Sequence, residues 1–389
     1  GASYTIHYSV DGVILDNGTK TFGAGRSVGT WFWWRSGWFA ASGSHTVVAT
    51  VDGNESVDEV DEEDNSLVFS FTPSQPTDFP QPLIWPMEGE PFYEMPFTNY
   101  VDVNPTNGIN DFNGGNFSYD GHNAWDIGPP NFREQDLGIE IYAAAAGTVV
   151  ETNDGEFDRQ TQWGTPPPQA NFVIIDHGSG WRTIYWHLRR DSLRVEVGDV
   201  VQAGDVLGYM GSSGVSSGTH IHFGLQHHGF TVEPMYDVPT YLDSSLHSLG
   251  YIGDIETLVT AGTTDSNPAT DIKERPADIN VFKQRANQLV YYWSWYSGLR
   301  IGDALQHVWR RPNGNVYLTT SANPGQNWSQ SWYWWSRYLP STPDLGTWTI
   351  DVNVNGVKIG EHQFEVTVDG EPEARVEQSG SLILDDRVT

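Results

Sequence analysis

The segment "GSSGVSSGTHIHFGL", residues 211–225, places two histidines one residue apart after a run of glycine, serine and threonine. Alternate side chains of a β-strand point to the same face, so the imidazoles of His220 and His222 are expected to project together. Such a pair could supply two metal ligands, or one ligand and one acid/base group. In isolation the pattern also fits metal-binding barrels of several kinds, or chance.

Two further segments carry side chains of the same chemistry. In "YDGHNAWDIG", His122 lies four residues before Asp126, and both a helical and an extended backbone would place the two side chains on one face. The segment "GWRTIYWHLRR" alternates like a strand and presents His187 near its end. A lone histidine on a strand is more often structural than catalytic. The order and spacing of the three segments therefore have to decide whether these side chains form a functional site.

Composition limits both the ligands and the partners. The 389 residues include no cysteine, so a bound metal must use histidine, carboxylate, carbonyl or water. Acidic residues number 50 against 20 basic ones, and the net charge of -30 argues against nucleic acid or anionic lipid as a partner. The sequence has no apolar run of about 18 residues, so we expect no membrane span.

Local patterns predict an all-β, mainly antiparallel protein. Proline and glycine are frequent, aromatic residues make up 13%, and segments with helical periodicity are scarce. Asn355-Gly356 lies between two alternating runs and predicts a hairpin. We predict a β-sandwich at 1–74, a linker at 75–82, a central domain at 83–250, a linker at 251–278, a second sandwich at 279–369 and a tail at 370–389.

In order and spacing, the three histidine segments resemble those of the lysostaphin-like (LytM-type) zinc metalloendopeptidases. The connecting segments agree as well: "GIEIYAAAAGTVV", "FVIIDHGSGWRTIYWHL" and "VEVGDVVQAGDVLGYMGSSGVSSGTHIHFGL" match the family pattern, over residues from about 85 to 240. The resemblance implies a β-sheet peptidase domain at the centre of the chain.

The resemblance also implies roles for individual residues. His122, Asp126 and His222 would bind one zinc ion per chain and leave its fourth position open to water. His187 and His220 would be the two catalytic histidines, and which of them is the general base stays open. Tyr119 is a further candidate for contact with the oxyanion or the substrate.

The function that the resemblance implies is a secreted zinc endopeptidase. Its substrates would be Gly-containing peptide bonds in bacterial peptidoglycan, or alternatively in glycine-rich extracellular proteins. A second hypothesis is an inactive wall-binding or scaffold protein that activates other hydrolases, and a third is an unrelated hydrolase acting on a non-peptide substrate. All five metal and catalytic positions carry the expected residue types, which argues against the scaffold.

The flanking segments are expected to bind or to act as spacers. "VDGNESVDEVDEEDNS" resembles the CARDB-type sandwich modules of secreted bacterial proteins, and its acidic run is better interpreted as a solvated loop than as a calcium site. Aromatic clusters at 30–39 and in the C-terminal unit favour packing, with a sugar- or peptide-stacking surface as the alternative. Binding of polysaccharide or a cell surface is therefore an expectation. The chain begins without a signal peptide, and we expect a processed extracellular or periplasmic protein.

Overall fold

The computed structural model describes residues 4–22, 44–51, 66–71, 79, 81–104, 106–162, 168–237 and 241–370. The acidic run, the aromatic cluster at 30–39, most of the linker at 75–82 and residues 371–389 of the tail lie outside these ranges. Antiparallel sheets dominate the described residues, which confirms the all-β prediction. None of the helices in these ranges is long and apolar enough to cross a membrane.

The N-terminal unit forms one antiparallel sheet of order β2-β1-β3-β4 in its described part. Its strands are β1 (Tyr4–Val10), β2 (Val13–Phe22), β3 (His45–Val51) and β4 (Ser66–Phe71). Asp11 and Gly12 make the turn between β1 and β2 with φ of 50° and 83°, the left-handed conformation that a two-residue hairpin requires. The CARDB-like sandwich stays a prediction.

The central unit is built on an antiparallel sheet of order β11-β8-β9-β10-β13-β6-β5, with β14 paired to β13 and a separate β7–β12 pair. Its elements are β5 (Phe97–Asn99), β6 (Trp125–Ile127), α1 (Phe132–Leu137), β7 (Glu140–Tyr142), β8 (Gly147–Asn153), β9 (Phe172–Gly178), β10 (Trp181–Trp186), β11 (Val200–Val201), β12 (Val206–Tyr209), β13 (Ile221–His227), β14 (Phe230–Val232) and 3-10 helices at Pro234–Asp237 and Ser244–Leu246. Trp125, Trp181 and Tyr185 are fully buried in its core. Burial of such large aromatic side chains contributes much of the packing energy of the sheet that carries the histidine segments.

The C-terminal unit is a two-layer sandwich of sheets β15-β17-β20 and β16-β22-β21-β18-β19. Its strands are β15 (Thr257–Thr264), β16 (Val281–Lys283), β17 (Leu289–Ser297), β18 (Leu305–Arg310), β19 (Val316–Ala322), β20 (Gln330–Tyr338), β21 (Gly346–Val354) and β22 (Val357–Thr367), with a 3-10 helix at Pro268–Thr270. Tyr292, Trp309 and Trp348 fill the space between the layers. The hairpin predicted at Asn355-Gly356 joins β21 to β22.

The prediction of a linker over residues 251–278 is wrong in part. Residues Thr257–Thr264 form β15, which pairs along its length with β17, so the sandwich begins well before residue 279. The sequence "TLVTAGTT" looks polar and small, yet its small residues are what the packing needs. A Cβ at Gly262 would lie 2.4 Å from Cζ2 of the buried Trp293. The glycine therefore lets β15 lie against a large aromatic ring.

Candidate metal centre

Three adjacent strands bring the histidine segments together at one end of the central sheet. In the registers of β10, β13 and β6, His222 lies between Trp186 on one side and Asp126 on the other. His187 follows Trp186 directly, and His220 lies just before β13 begins. Residues separated by a hundred positions in the chain therefore meet at a single point.

His122, Asp126 and His222 form a buried triangle of potential ligand atoms. Asp126 Oδ1 lies 3.1 Å from His122 Nε2 and 2.9 Å from His222 Nδ1, and the two ring nitrogens lie 3.3 Å apart. In a tetrahedral zinc site with bonds of about 2.0–2.1 Å, ligand atoms lie roughly 3.3 Å from one another. Three nitrogen or oxygen donors at this spacing fit one zinc ion and leave a fourth position open.

A hydrogen bond holds the outer nitrogen of each imidazole in the triangle. His122 Nδ1 lies 2.7 Å from the carbonyl oxygen of Tyr100, to which its N–H donates. His222 Nε2 lies 3.0 Å from Oδ1 of Asn123 and donates to it. Each neutral ring then carries its lone pair on the nitrogen that faces the triangle, which is the tautomer a metal ligand needs.

The charges around Asp126 favour its ionised form. Burial by itself would raise the pKa of this carboxyl, but the neighbouring imidazoles of His122, His220 and His222 hold it well below its usual range. Asn99 Nδ2 donates to its second oxygen at 3.1 Å. Asp126 is therefore a carboxylate with Oδ1 directed at the triangle, the form that binds a cation.

Asn123 gives a direct test of this orientation. We expect Asn123→Ala to weaken zinc binding about 10- to 100-fold, because the His222 ring loses the acceptor that fixes its tautomer and angle. Competition against a coloured zinc chelator measures the affinity. Replacing the exposed Asn113 by Ala serves as the control, and equal affinities of the two variants would contradict this role of Asn123.

His187 and His220 lie beside the triangle with their Nδ1 atoms bonded to backbone carbonyls. His187 Nδ1 lies 2.6 Å from the oxygen of Ser213, and His220 Nδ1 lies 2.8 Å from the oxygen of Gly218. The ring centroids are 4.6 Å apart. Both rings therefore retain Nε2 for chemistry in the space above the triangle.

The backbone at His187 has φ of 68°, a left-handed conformation that histidine seldom adopts. Strained residues of this kind persist where the surroundings hold them, and they cluster at functional sites. Burial, and then the neighbouring His220 and His222, hold the pKa of His187 well below its usual range. His187 is thus a neutral imidazole placed by its surroundings.

The serines of the Gly/Ser tract support these two rings. Ser212, Ser213 and Ser216 are buried and hydrogen-bonded. Ser213 Oγ donates to the carbonyl of Leu188 and accepts the N–H of Asn171. The segment before His220 is therefore packed and bonded into the central unit, which fixes the carbonyls that orient the histidines.

Tyr119 lies over His122, with ring centroids 4.4 Å apart. Its side chain remains 39% exposed and lines the space next to the triangle. Burial, followed by the charge of Asp126, raises the pKa of its hydroxyl far above neutrality. At neutral pH Tyr119 therefore keeps its proton and can donate it in a hydrogen bond to a substrate oxygen.

A groove crosses the site from end to end. Two cavities, of about 580 and 630 Å³, both reach Tyr119, His187 and Val215. Asp126 and His220 line the first, and His122, His222 and Trp186 line the second. The triangle therefore lies between two open spaces, both of which reach His187.

Sequence reasoning did not find Glu233, a buried carboxyl that holds the strand of Asp126. Its Oε1 accepts Trp125 Nε1–H at 2.9 Å and the N–H of Met235 at 2.9 Å, while Oε2 accepts the N–H of Val101 at 3.3 Å. Burial raises the pKa of Glu233 to about 7, although these three donors act in the opposite direction. Nothing in the sequence joins Glu233 to Trp125, since the two are paired only by folding.

Stability should fall with rising pH because of Glu233. Its folded-state pKa lies above the ordinary value of 4.5, so the stability it contributes is complete below about pH 4.5 and is lost as the pH rises through about 7. This shift corresponds to roughly 3 kcal/mol. Urea unfolding should show that the free energy of unfolding of the parent chain falls by about this amount, relative to Glu233→Gln, between about pH 4.5 and pH 7. If the difference in unfolding free energy between the two chains does not change with pH, this role of Glu233 is contradicted.

Part of the chain matches a known protein family. Residues 121–234 match the model of peptidase family M23. This segment is an M23 peptidase domain. The matched range contains His122, Asp126, His187, His220 and His222, and it confirms the resemblance to the lysostaphin-like peptidases. Tyr119 lies just outside the match.

Curated relatives match about a quarter of this chain. The DD-carboxypeptidase/endopeptidase Mpg of Neisseria meningitidis serogroup B is 36% identical over 95 residues, covering 24% of this chain and 21% of the relative. The peptidoglycan DD-endopeptidase ShyA of Vibrio cholerae is 30% identical over 114 residues, covering 29% and 22%. The chain thus spans about a fifth of the length of these relatives. The solved catalytic domain of lysostaphin from Staphylococcus simulans is 22% identical, with 37% of this chain and 90% of that chain covered and a TM-score of 0.24.

Proposed function

We propose that this chain is a zinc-dependent endopeptidase that hydrolyses Gly-containing peptide bonds in bacterial peptidoglycan. The observation that carries the proposal is the triangle of His122 Nε2, Asp126 Oδ1 and His222 Nδ1, with sides of 2.9 to 3.3 Å, inside an M23 domain. The relatives named as peptidoglycan endopeptidases support the substrate class. Because that substrate lies outside the cytoplasm, we also propose a secreted or periplasmic protein.

The side chains of the groove can carry out the proton transfers of peptide hydrolysis. A zinc ion bound to the triangle supplies a water whose pKa is lowered toward about 7 and an electrophile for the substrate carbonyl. His187 and His220 each offer Nε2, which can take a proton from the attacking water and return it to the leaving amine. Tyr119 can donate its O–H to the oxygen that gains negative charge.

The scaffold alternative finds no support in this geometry. A non-catalytic protein would have no need for two histidines beside a complete ligand triangle, each oriented by its own backbone carbonyl. The alternative substrate, a glycine-rich extracellular protein, would use the same groove and the same residues. A digestion experiment distinguishes the two substrates.

The zinc-loaded chain should be incubated separately with several types of peptidoglycan and with a glycine-rich protein such as elastin. Mass identification of the products should show new amino termini at Gly-containing peptide bonds of peptidoglycan, with the glycan strands intact. Cleavage of the glycine-rich protein but not of peptidoglycan would favour the alternative substrate, a glycine-rich extracellular protein. Cleavage of glycan, or no cleavage of any peptide bond, would contradict the proposal.

A further inference from the structure

One wall of the groove comes from outside the M23 domain. The cavity of about 580 Å³ that contains Asp126, His187 and His220 is bounded on its other side by the C-terminal sandwich. The residues contributed by the sandwich are Trp295, Trp328 and the start of β20, residues 330–333. Side chains from two folding units therefore enclose the same space next to the ligand triangle.

Direct contacts hold the sandwich in this position. Gln330 Nε2 donates to the carbonyl of Gly128 at 3.0 Å, two residues beyond Asp126. The guanidinium of Arg159 bridges Asp136 at 2.7 Å and Glu274 at 3.0 Å, and so ties α1 to the segment between β15 and β16 of the sandwich. The N–H of Phe132 donates to the carbonyl of Lys273 in the same segment. The second wall is thus fastened on both sides of the cavity.

Three residues that line this cavity carry buried polar atoms without a hydrogen-bond partner in the described part of the chain. They are Thr219 Oγ1, Trp295 Nε1 and Ser331 Oγ. Their residues are 5%, 5% and 8% exposed, so solvent does not satisfy them freely. Buried polar groups in folded proteins nearly always have partners, and unpaired ones call for an explanation. A bound ligand that supplies the missing partners is one.

The chemistry of these groups suits an extended peptide. The indole N–H can donate to a backbone carbonyl, and the two hydroxyls can either donate to a carbonyl or accept an N–H. Trp332 packs beside Trp295 with ring centroids 6.3 Å apart, which gives the polar atoms an apolar flank. His187 and His220 line the same cavity. A peptide substrate extends on both sides of the bond that is cut, so the residues next to that bond would lie in this cavity.

We propose that the C-terminal sandwich is a substrate-binding element, whose Trp295, Trp328 and Ser331 bind the peptide segment on one side of the scissile bond. The inference rests on the proposed endopeptidase function and deepens it. It makes the sandwich a determinant of which peptide sequence is cut, in addition to the loops of the M23 domain.

The test compares two tryptophans of the sandwich in the full-length, zinc-loaded chain. Trp328 and Trp334 are 39% and 36% exposed, but only Trp328 lines the cavity. With pentaglycine and with solubilised peptidoglycan peptides, Trp328→Ala should raise KM about tenfold with a smaller change in kcat, and Trp334→Ala should match the parent. Ser331→Ala, which removes only a hydroxyl, should also raise KM. If Trp328→Ala and Ser331→Ala both hydrolyse like the parent, the inference is overturned.

A binding arm separates this inference from the proposed function. Calorimetric titration of the same peptides, and of glycan fragments freed of peptide, should show peptide binding that Trp328→Ala weakens about tenfold. Such binding without hydrolysis by the parent chain would support the sandwich subsite and contradict the endopeptidase. Hydrolysis by the parent chain, with peptide binding unchanged in Trp328→Ala, would support the endopeptidase and contradict the sandwich subsite. Binding of glycan fragments in preference to peptides would overturn the assignment of the ligand.

Discussion

Replacing His222 by Ala should remove zinc and peptide hydrolysis together, whereas His220→Ala should remove hydrolysis and leave the zinc in place. His222 contributes one corner of the ligand triangle, and its loss leaves two donors for an ion that needs three protein ligands. The Nε2 of His220 lies 3.6 Å from Asp126 Oδ1 and outside the tight triangle. Loss of a positioned acid/base group lowers kcat by about 10²- to 10⁴-fold without loss of the metal.

Zinc content measured by mass spectrometry, set beside kcat on a peptide substrate, separates the two outcomes. His187→Ala should behave like His220→Ala, and the more severe of the two losses identifies the residue on which proton transfer depends more. The exposed His228 replaced by Ala provides the control, with zinc and activity as in the parent chain. Zinc retained in His222→Ala, or lost in His220→Ala, would contradict the assignment.

Replacing Gly128 by Ala should reduce activity strongly although Gly128 has no chemical group to offer. A Cβ at this position would lie 2.6 Å from the Cα of His220 and 2.7 Å from the carbonyl oxygen of Thr219. Both neighbours are backbone atoms, so the chain that carries His220 has to move. A displacement of about 1 Å at a catalytic group can cost about 10²-fold in rate, and overpacking costs about 1–3 kcal/mol in stability.

The expected result for Gly128→Ala is a folded chain with a kcat about 10²-fold below that of the parent. Circular dichroism and urea unfolding establish that it folds, and initial rates on a peptide substrate give kcat. Gly325→Ala is the matched control, because a Cβ there meets nothing within 4 Å. A Gly128→Ala chain with the parent's kcat would show that the close approach to His220 has no catalytic importance.

The parts of the site that could be predicted from sequence are those in which the residue type alone indicates the chemistry. His122, Asp126 and His222 stand out because two imidazoles and a carboxylate in a chain without cysteine are the ligands that zinc can use. The matched M23 segment confirms the family that their order suggested. Their roles as ligands, and those of His187 and His220, remain proposals for the variants above to test.

The groups that orient these side chains had no sequence signature. The carbonyls of Tyr100, Ser213 and Gly218 hold three of the histidine rings, and every residue has a carbonyl. Among the orienting residues that sequence reasoning did not find, Asn123 was the easiest to predict. It directly follows His122, and its amide oxygen can accept a hydrogen bond from the ring of His222. Glu233 was out of reach, since only the folded sheet brings it to Trp125.

The C-terminal sandwich could also be predicted only in part from the sequence. Its aromatic richness was visible, and the hairpin at Asn355-Gly356 was predictable from turn chemistry. The strand Thr257–Thr264 was missed because its threonines and Gly262 are polar or small, and they are acceptable only against the rings of the neighbouring strand. That Trp328 and Ser331 line the same cavity as His187 and His220 depends on how two units dock, which local patterns do not encode.

Zinc-dependent peptide hydrolysis is tested most directly with a Gly-containing peptide before chelation, after chelation, and after zinc is returned. The chain should be purified with zinc and assayed on pentaglycine and on solubilised peptidoglycan peptides. We expect cleavage by the zinc-loaded chain, its loss when the metal is removed, and its recovery when zinc is added back. Cleavage that persists in the chelator, or a zinc-loaded chain that cuts no peptide, would contradict this expectation.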